Sequence, residues 1–166
     1  MTKAHFDMMA AYNRWANLRL YEAVAGLSDA DYFRDRRGFF KSIHGTLNHL
    51  LVGDRIWLRR FTGEGDAPTA LDAILFDTFA PLRTAREAED LRIVETFGKY
   101  EEDALAGTLS YRNTAGEPYE QPLAAVLAHF FNHQTHHRGQ AHDMVSQTGR
   151  KPPPLDLLIY MRETGI

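Results

Sequence analysis

The chain has 166 residues, of which 44% are hydrophobic and 25% charged, with a formal net charge of −3 and no cysteine. A chain of this length sustains one core, expected to span residues 1–166 as a single domain, and the missing cysteines exclude disulfides, thiolate metal sites and a Cys nucleophile. The mildly acidic balance argues against a dedicated nucleic-acid binder, and the absence of both a long apolar run and a leader pattern gives the expectation of a cytoplasmic protein with no membrane partner.

Four long helical patterns are predicted. The first runs from about His5 to Leu27, with Met9, Tyr12, Asn13, Ala16, Leu20 and Val24 recurring on one arc at the 3.6-residue period. Ser28 to Asp31 then resembles an N-cap with an acid three residues on, so a short helix or turn follows. Arg34, Arg36, Arg37 and Lys41, interleaved with Asp31 and Asp35, read as a solvated loop face. The second pattern runs from about Ser42 to Phe61 and stops at Gly63. It is apolar on several sides, as a helix buried by more than one neighbour should be.

A third pattern lies between about Pro81 and Ala106, with Leu82, Ala85, Ile93, Thr96, Phe97 and Tyr100 on one face and charge on the other. That fits an outer helix. In "TLSYRNTAGEPYEQP" the helical period breaks, and Leu109, Tyr111 and Tyr119 alternate around a glycine-containing turn, predicting a small β-hairpin. The fourth long helix begins near Pro122 and ends before Gly149, with a last helical piece between Leu155 and Arg162. The fold class is therefore all-α: a four-helix bundle with a small β-hairpin before the last long helix.

Eight histidines are present, and they are not equivalent. On the fourth helix the core arc is set by Leu123, Val126, Leu127, Phe130, Ala141, Met144 and Val145. His133 and His137 fall within it; His129 and His136 fall at its edge or beyond, and His142 points away. Two histidines one turn apart can converge on one ion, whereas two buried core histidines would each need another partner. A zinc-type site needs a third protein ligand. His49 in "TLNHLLVGD" is the strongest candidate, midway along the most buried helix, with Gly45 and Gly53 flanking it and leaving room for a neighbouring helix. His44 reads as a solvated residue near a helix start, His5 as a lining residue, and His129 as a partly exposed one at a pocket edge. No Glu-x-x-His of the di-metal carboxylate bundles occurs. Gln134 stands where an H-E-x-x-H protease needs its Glu base.

The stretches "YNRWANLRL", "IHGTLNHLLVGDRIWLRRF" and "LAHFFNHQTHHRGQAHDMVSQTG" together resemble the DinB/YfiT-like family of metalloenzymes over nearly the whole length. That resemblance implies a four-helix bundle, a homodimer, and a divalent metal held by three histidines, which fall here on His49, His133 and His137. It also implies a thiol-dependent transferase or isomerase in which a low-molecular-weight thiol such as mycothiol, bacillithiol or glutathione is activated at the metal.

Three neutral imidazoles leave the charge of a divalent ion uncompensated and a position open for water, thiol or a small-molecule substrate. Zinc and nickel lead the candidates, although imidazole also suits copper and iron. Tyr12 and Asn13, on the core face of the first helix, either line the pocket or pack the core. Gln140 and Asp54 could orient ligand imidazoles, Asp54 having an ion pair with an arginine as its alternative. Trp15 and Trp57 read as packing residues. Three functional classes remain open from the residues: a metal-dependent transferase or hydrolase, a non-catalytic metal-binding or stress-related interaction protein, and a plain bundle with buried histidines.

Overall fold

Side-chain caps set three of the helix starts in the computed structural model, which describes residues 1–166. Helix α1 (Lys3–Ala25) starts at Thr2 and α2 (Asp29–Phe33) at Ser28, whose hydroxyls accept from the backbone N–H of His5 and Asp31. Helix α3 (Ile43–Thr62) is capped by Ser42, which accepts from Gly45 N–H, and ends at Gly63 with φ of 76°, a left-handed C-cap that glycine adopts without a Cβ clash. Helix α4 (Phe79–Gly98) follows a long irregular segment. A 3₁₀ turn (Glu102–Ala106) leads into strands β1 (Thr108–Arg112) and β2 (Pro118–Pro122), paired antiparallel with Tyr111 opposite Tyr119. Helices α5 (Leu123–Ser146) and α6 (Leu157–Thr164) complete the chain.

The four long helices form a ring in which α1 packs on α4 and α5, and α3 packs on the same two. Two apolar clusters fill it. Leu20, Tyr21, Leu47, Leu51, Leu82 and Val145 belong to one, and Phe6, Leu58, Ile93, Phe97, Leu127 and Phe130 to the other. The second cluster takes the N-terminal halves of α1 and α5 but the C-terminal ends of α3 and α4. The directions are therefore up, down, down, up. Two successive parallel helices need a crossing connection, and residues 63–78 supply it. No helix is long and apolar enough to cross a membrane.

On every long helix a polar segment separates the two clusters: Asn13 and Asn17 on α1, Asp54 on α3, Arg86 and Asp90 on α4, Gln134 and Arg138 on α5, all buried. Arg86 donates to Asp54 and lies 2.9 Å from an Asp90 carboxylate oxygen. Asp90 also accepts from Asn17 at 2.8 Å, while Arg138 donates to Asn13 Oδ1 at 2.5 Å and Gln134 donates to Asp54. Two arginines and two aspartates make the layer formally neutral, which is what allows charge into a bundle interior at all.

Four expectations change here. The third long helix stops at Gly98 rather than running to Ala106, because a glycine is among the weakest helix formers and Lys99 N–H turns back to the carbonyls of Thr96 and Phe97. Its charged face is not wholly outward: Arg86, Glu89 and Asp90 are buried because each has an ionic partner. The buried face of α1 is also broader than one stripe, taking in Phe6, Asn17 and Tyr21, since α4 and α5 cover it from two sides. In the basic loop, Arg34, Arg37 and Lys41 are exposed as expected, but the Arg36 side chain is only 4% exposed and pairs with Asp31 at 3.3 Å.

Candidate metal centre

Helices α3 and α5 run antiparallel and face each other along one groove, and the close approach depends on Gly53. A Cβ there would lie 2.9 Å from Cε1 of His133. One turn before Gly53 on α3 is His49, 4% exposed; one turn after His133 on α5 is His137. The three imidazoles meet at this point. His49 Nε2 lies 3.2 Å from Nε2 of His133 and 3.2 Å from Nε2 of His137, and one nitrogen from each of the three rings falls within a 4.8 Å sphere of separations.

Hydrogen bonds on the far side of two rings decide which nitrogens face inward with lone pairs. His49 Nδ1 is 2.7 Å from the carbonyl oxygen of Leu71. A carbonyl only accepts, so Nδ1 carries the proton and Nε2 is bare. His137 Nδ1 donates in the same way to Gln140 Oε1 at 2.8 Å. Two bare nitrogens 3.2 Å apart repel unless a positive charge lies between them. Tetrahedral ligation at about 2.0–2.1 Å would separate donor nitrogens by about 3.3 Å, so the spacing fits one ion of that kind.

The long crossing segment is tied down beside the site by Asn48, next to His49. Its Oδ1 accepts from the N–H groups of Leu75 and Phe76 at 2.9 and 3.1 Å, and its Nδ2 donates to Phe76 O at 3.3 Å. The Leu71 carbonyl that orients His49 thus belongs to a stapled loop. On the opposite side Phe40 stacks on His49 with centroids 3.7 Å apart and planes 16° from parallel, and stands edge-on to His137 at 5.5 Å. Burial lowers the pKa of all three rings, His133 to about 3 and His137 to about 4; neighbouring imidazoles add to the effect at His133 and His137, while the Leu71 carbonyl opposes it at His49. The rings are neutral at pH 7, the protonation state a metal ligand needs.

The other candidates go elsewhere. Tyr12 donates its hydroxyl to Leu155 O at 2.7 Å, and Asn13 is held by Arg138 in the polar layer, so the polar atoms of both are engaged away from the imidazoles. Gln140 does orient the His137 ring, whereas Asp54 takes its alternative role in the ion pair with Arg86. Gln134 is fully buried and turned from the histidines toward Asp54. His44 is not solvated: it is 8% exposed, with Nδ1 3.1 Å from the Tyr32 hydroxyl, because the short α2 folds over the start of α3. Gly45 admits the Phe40 carbonyl rather than a second helix. His136 and His129 are exposed, and His5 borders a small cleft with Phe6 and Met9. His142 Nε2 contacts Pro153 O at 2.9 Å. Trp15 packs against Tyr12 and Tyr160. Trp57 packs against Phe61 but also walls a cavity. Sequence reasoning missed Phe40, Asn48 and the Leu71 carbonyl; only an asparagine amid an apolar helical run could have signalled one of them.

The profile of the DinB family matches residues 1–165. The chain belongs to the DinB family. Protein DinB of Bacillus subtilis (strain 168) is 28% identical over 156 residues, covering 90% of each chain. A DinB-like protein from Bacillus cereus ATCC 10987 has the same fold, with a TM-score of 0.63 at 16% identity over 84% of this chain and 89% of that one. In this DinB-family chain the residues brought together are therefore His49, His133 and His137, contributed by two helices of the bundle.

Proposed function

We propose that the protein holds one divalent metal ion, zinc or nickel, on His49, His133 and His137. We further propose that it acts as a mononuclear enzyme on a small electrophile, with a low-molecular-weight thiol or water as nucleophile. The observation that carries this reading is the pair of inward-facing, proton-free Nε2 atoms, fixed by Leu71 O and Gln140 Oε1 and held 3.2 Å apart. A divalent ion on three neutral imidazoles keeps its full charge and lowers the pKa of water or a thiol in its open position.

The chain's own groups divide the remaining work. Leu71 O and Gln140 hold two rings in one tautomer, as outer partners of ligand histidines do. Phe40 covers one side of His49 and His137 and keeps water from it. Since the chain has no cysteine, any reacting thiol arrives as a cosubstrate. No acidic side chain joins the three-histidine group, and Gln134 supplies no base, so the proton released from the bound thiol or water would pass to solvent.

The test starts with elemental analysis of tag-free protein, because a nickel column would load the site. About one metal ion per chain is expected, absent from His137→Ala. A panel of thiols and electrophiles then gives turnover above the His137→Ala background. Metal without turnover would reduce the reading to a binding protein, and protein with no metal and no melting shift on adding Zn²⁺ would remove it.

A further inference from the structure

The α3–α5 groove continues past the histidines. Trp57 and His129 lie one turn beyond Gly53 and His133, with ring centroids 5.3 Å apart, and His129 is 6.0 Å from His133. Together with Tyr111 of the hairpin they wall a cavity of about 320 Å³. Tyr111 is also a wall of a second cavity, of about 470 Å³, between α3, residues 67–69 and β1. Arg59, Arg60 and Arg112 line this second cavity, and no carboxylate does.

These three guanidiniums form none of the ion pairs in the chain, although it carries 22 acidic residues. Two are fixed by backbone carbonyls: Arg59 donates to Gly65 O at 2.5 Å and Arg112 to Gly116 O at 2.6 Å. The third, Arg60, is half-buried between two aromatic faces, 4.4 Å from the Trp57 ring centre and 4.8 Å from that of Tyr111. Three cations gathered without a counter-charge repel one another, and a planar anion relieves that repulsion. Arginine's fork suits carboxylates.

We infer that Arg60, with Arg59 and Arg112, forms an anion subsite that takes the carboxylate end of a small organic molecule whose other end reaches the three histidines. Side chains on a helix lean toward its N-terminus, and the Arg60 guanidinium lies over Trp57 accordingly. Trp57 is eight residues from His49, about 12 Å along the axis. The ligand is therefore elongated, anionic at one end, and passes the aromatic wall of Trp57 and Tyr111. That second half rests on the metal reading above; the anion subsite does not.

The experiment uses the Trp15→Phe chain, in which Trp57 is the one remaining tryptophan, loaded with zinc. S-methylglutathione, whose sulfur is blocked from ligating metal, is titrated against Trp57 fluorescence, with inorganic phosphate in a parallel arm. Saturable binding is expected, weakened roughly tenfold or more by Arg60→Gln and by Arg112→Gln, with zinc content unchanged. His137→Ala should lose zinc and keep the binding, so a failed metal site and a failed anion site give different results. No saturable binding, affinity in both arginine variants equal to the parent's, or tighter binding of phosphate than of S-methylglutathione would overturn the assignment.

Discussion

Asp54→Ala separates two roles for the same carboxylate, and its cost follows from the contacts. The side chain is 1% exposed, and both its oxygens are used, one by Arg86 and the other by Gln134. Burial pushes this carboxyl up to about 7 while Arg86 pulls the other way, so the pair stands or falls together. Removing one partner of a buried pair costs about 3–5 kcal/mol. Gln134 loses its only acceptor too, with its Oε1 already unpartnered, which alone is about 1–3 kcal/mol. Because these losses share one network they do not simply add, and Asp90 still neutralises Arg86 in part. A total of about 4–6 kcal/mol is expected, and at roughly 2–4 °C per kcal/mol for a chain of this size melting should fall by roughly 8–24 °C. The assay is metal-free thermal and urea unfolding at pH 7, followed by zinc titration at a temperature where the variant is still folded. Zinc affinity of the folded variant should equal the parent's, and Asp54→Ala combined with Arg86→Met should recover part of the loss. A cost below about 1 kcal/mol would refute the burial reasoning. Normal stability with weakened zinc binding would instead make Asp54 an orienting group for the imidazoles.

Gly53→Ala places a Cβ 2.9 Å from the His133 ring and should weaken zinc binding roughly tenfold without lowering metal-free melting; calorimetric affinity equal to the parent's would show that the ring yields freely. Gln140→Ala removes the acceptor of His137 Nδ1 and should cost about 10–100-fold in zinc affinity; a calorimetric affinity equal to the parent's would show that His137 needs no outer partner. Zinc affinity should fall less between pH 7.5 and 5.5 than three ordinary imidazoles would require, because burial holds His133 down to about 3 and His137 to about 4 and lowers His49 as well; imidazoles with pKa near 6.5 would each lose about tenfold by pH 5.5. The same lowered values give the sign for the metal-free fold: their contribution to stability is complete above about 6.5 and is lost as pH falls through about 4 and about 3, because the unfolded chain takes up those protons first.

Much of the fold was legible in local pattern. Ser42 and Gly63 bracket α3 to within a residue or two of its sequence-read limits, since capping and the left-handed glycine act within one turn. The alternation of Leu109, Tyr111 and Tyr119 marked the hairpin for the same reason. The polar layer was not legible. Arg86 and Asp90 look like a solvated charged face until Asp54, some thirty residues earlier, and Asn17 are brought against them. Burial of charge depends on partners from other helices, and no one-helix periodicity contains them.

By itself the sequence determined the helical ring, the hairpin, and the sorting of eight histidines into one from α3, two from α5 and five bystanders, because residue spacing on a helix fixes which side chains share a face. Only the tertiary structure decided that these faces meet with nitrogens 3.2 Å apart. It also decided that the Leu71 carbonyl and Gln140 set the tautomers, that Phe40 closes one side, and that Tyr12 and Asn13 are engaged elsewhere. Those facts depend on how antiparallel helices and a stapled crossing loop pack, and the contacts that fix the packing lie far apart along the chain.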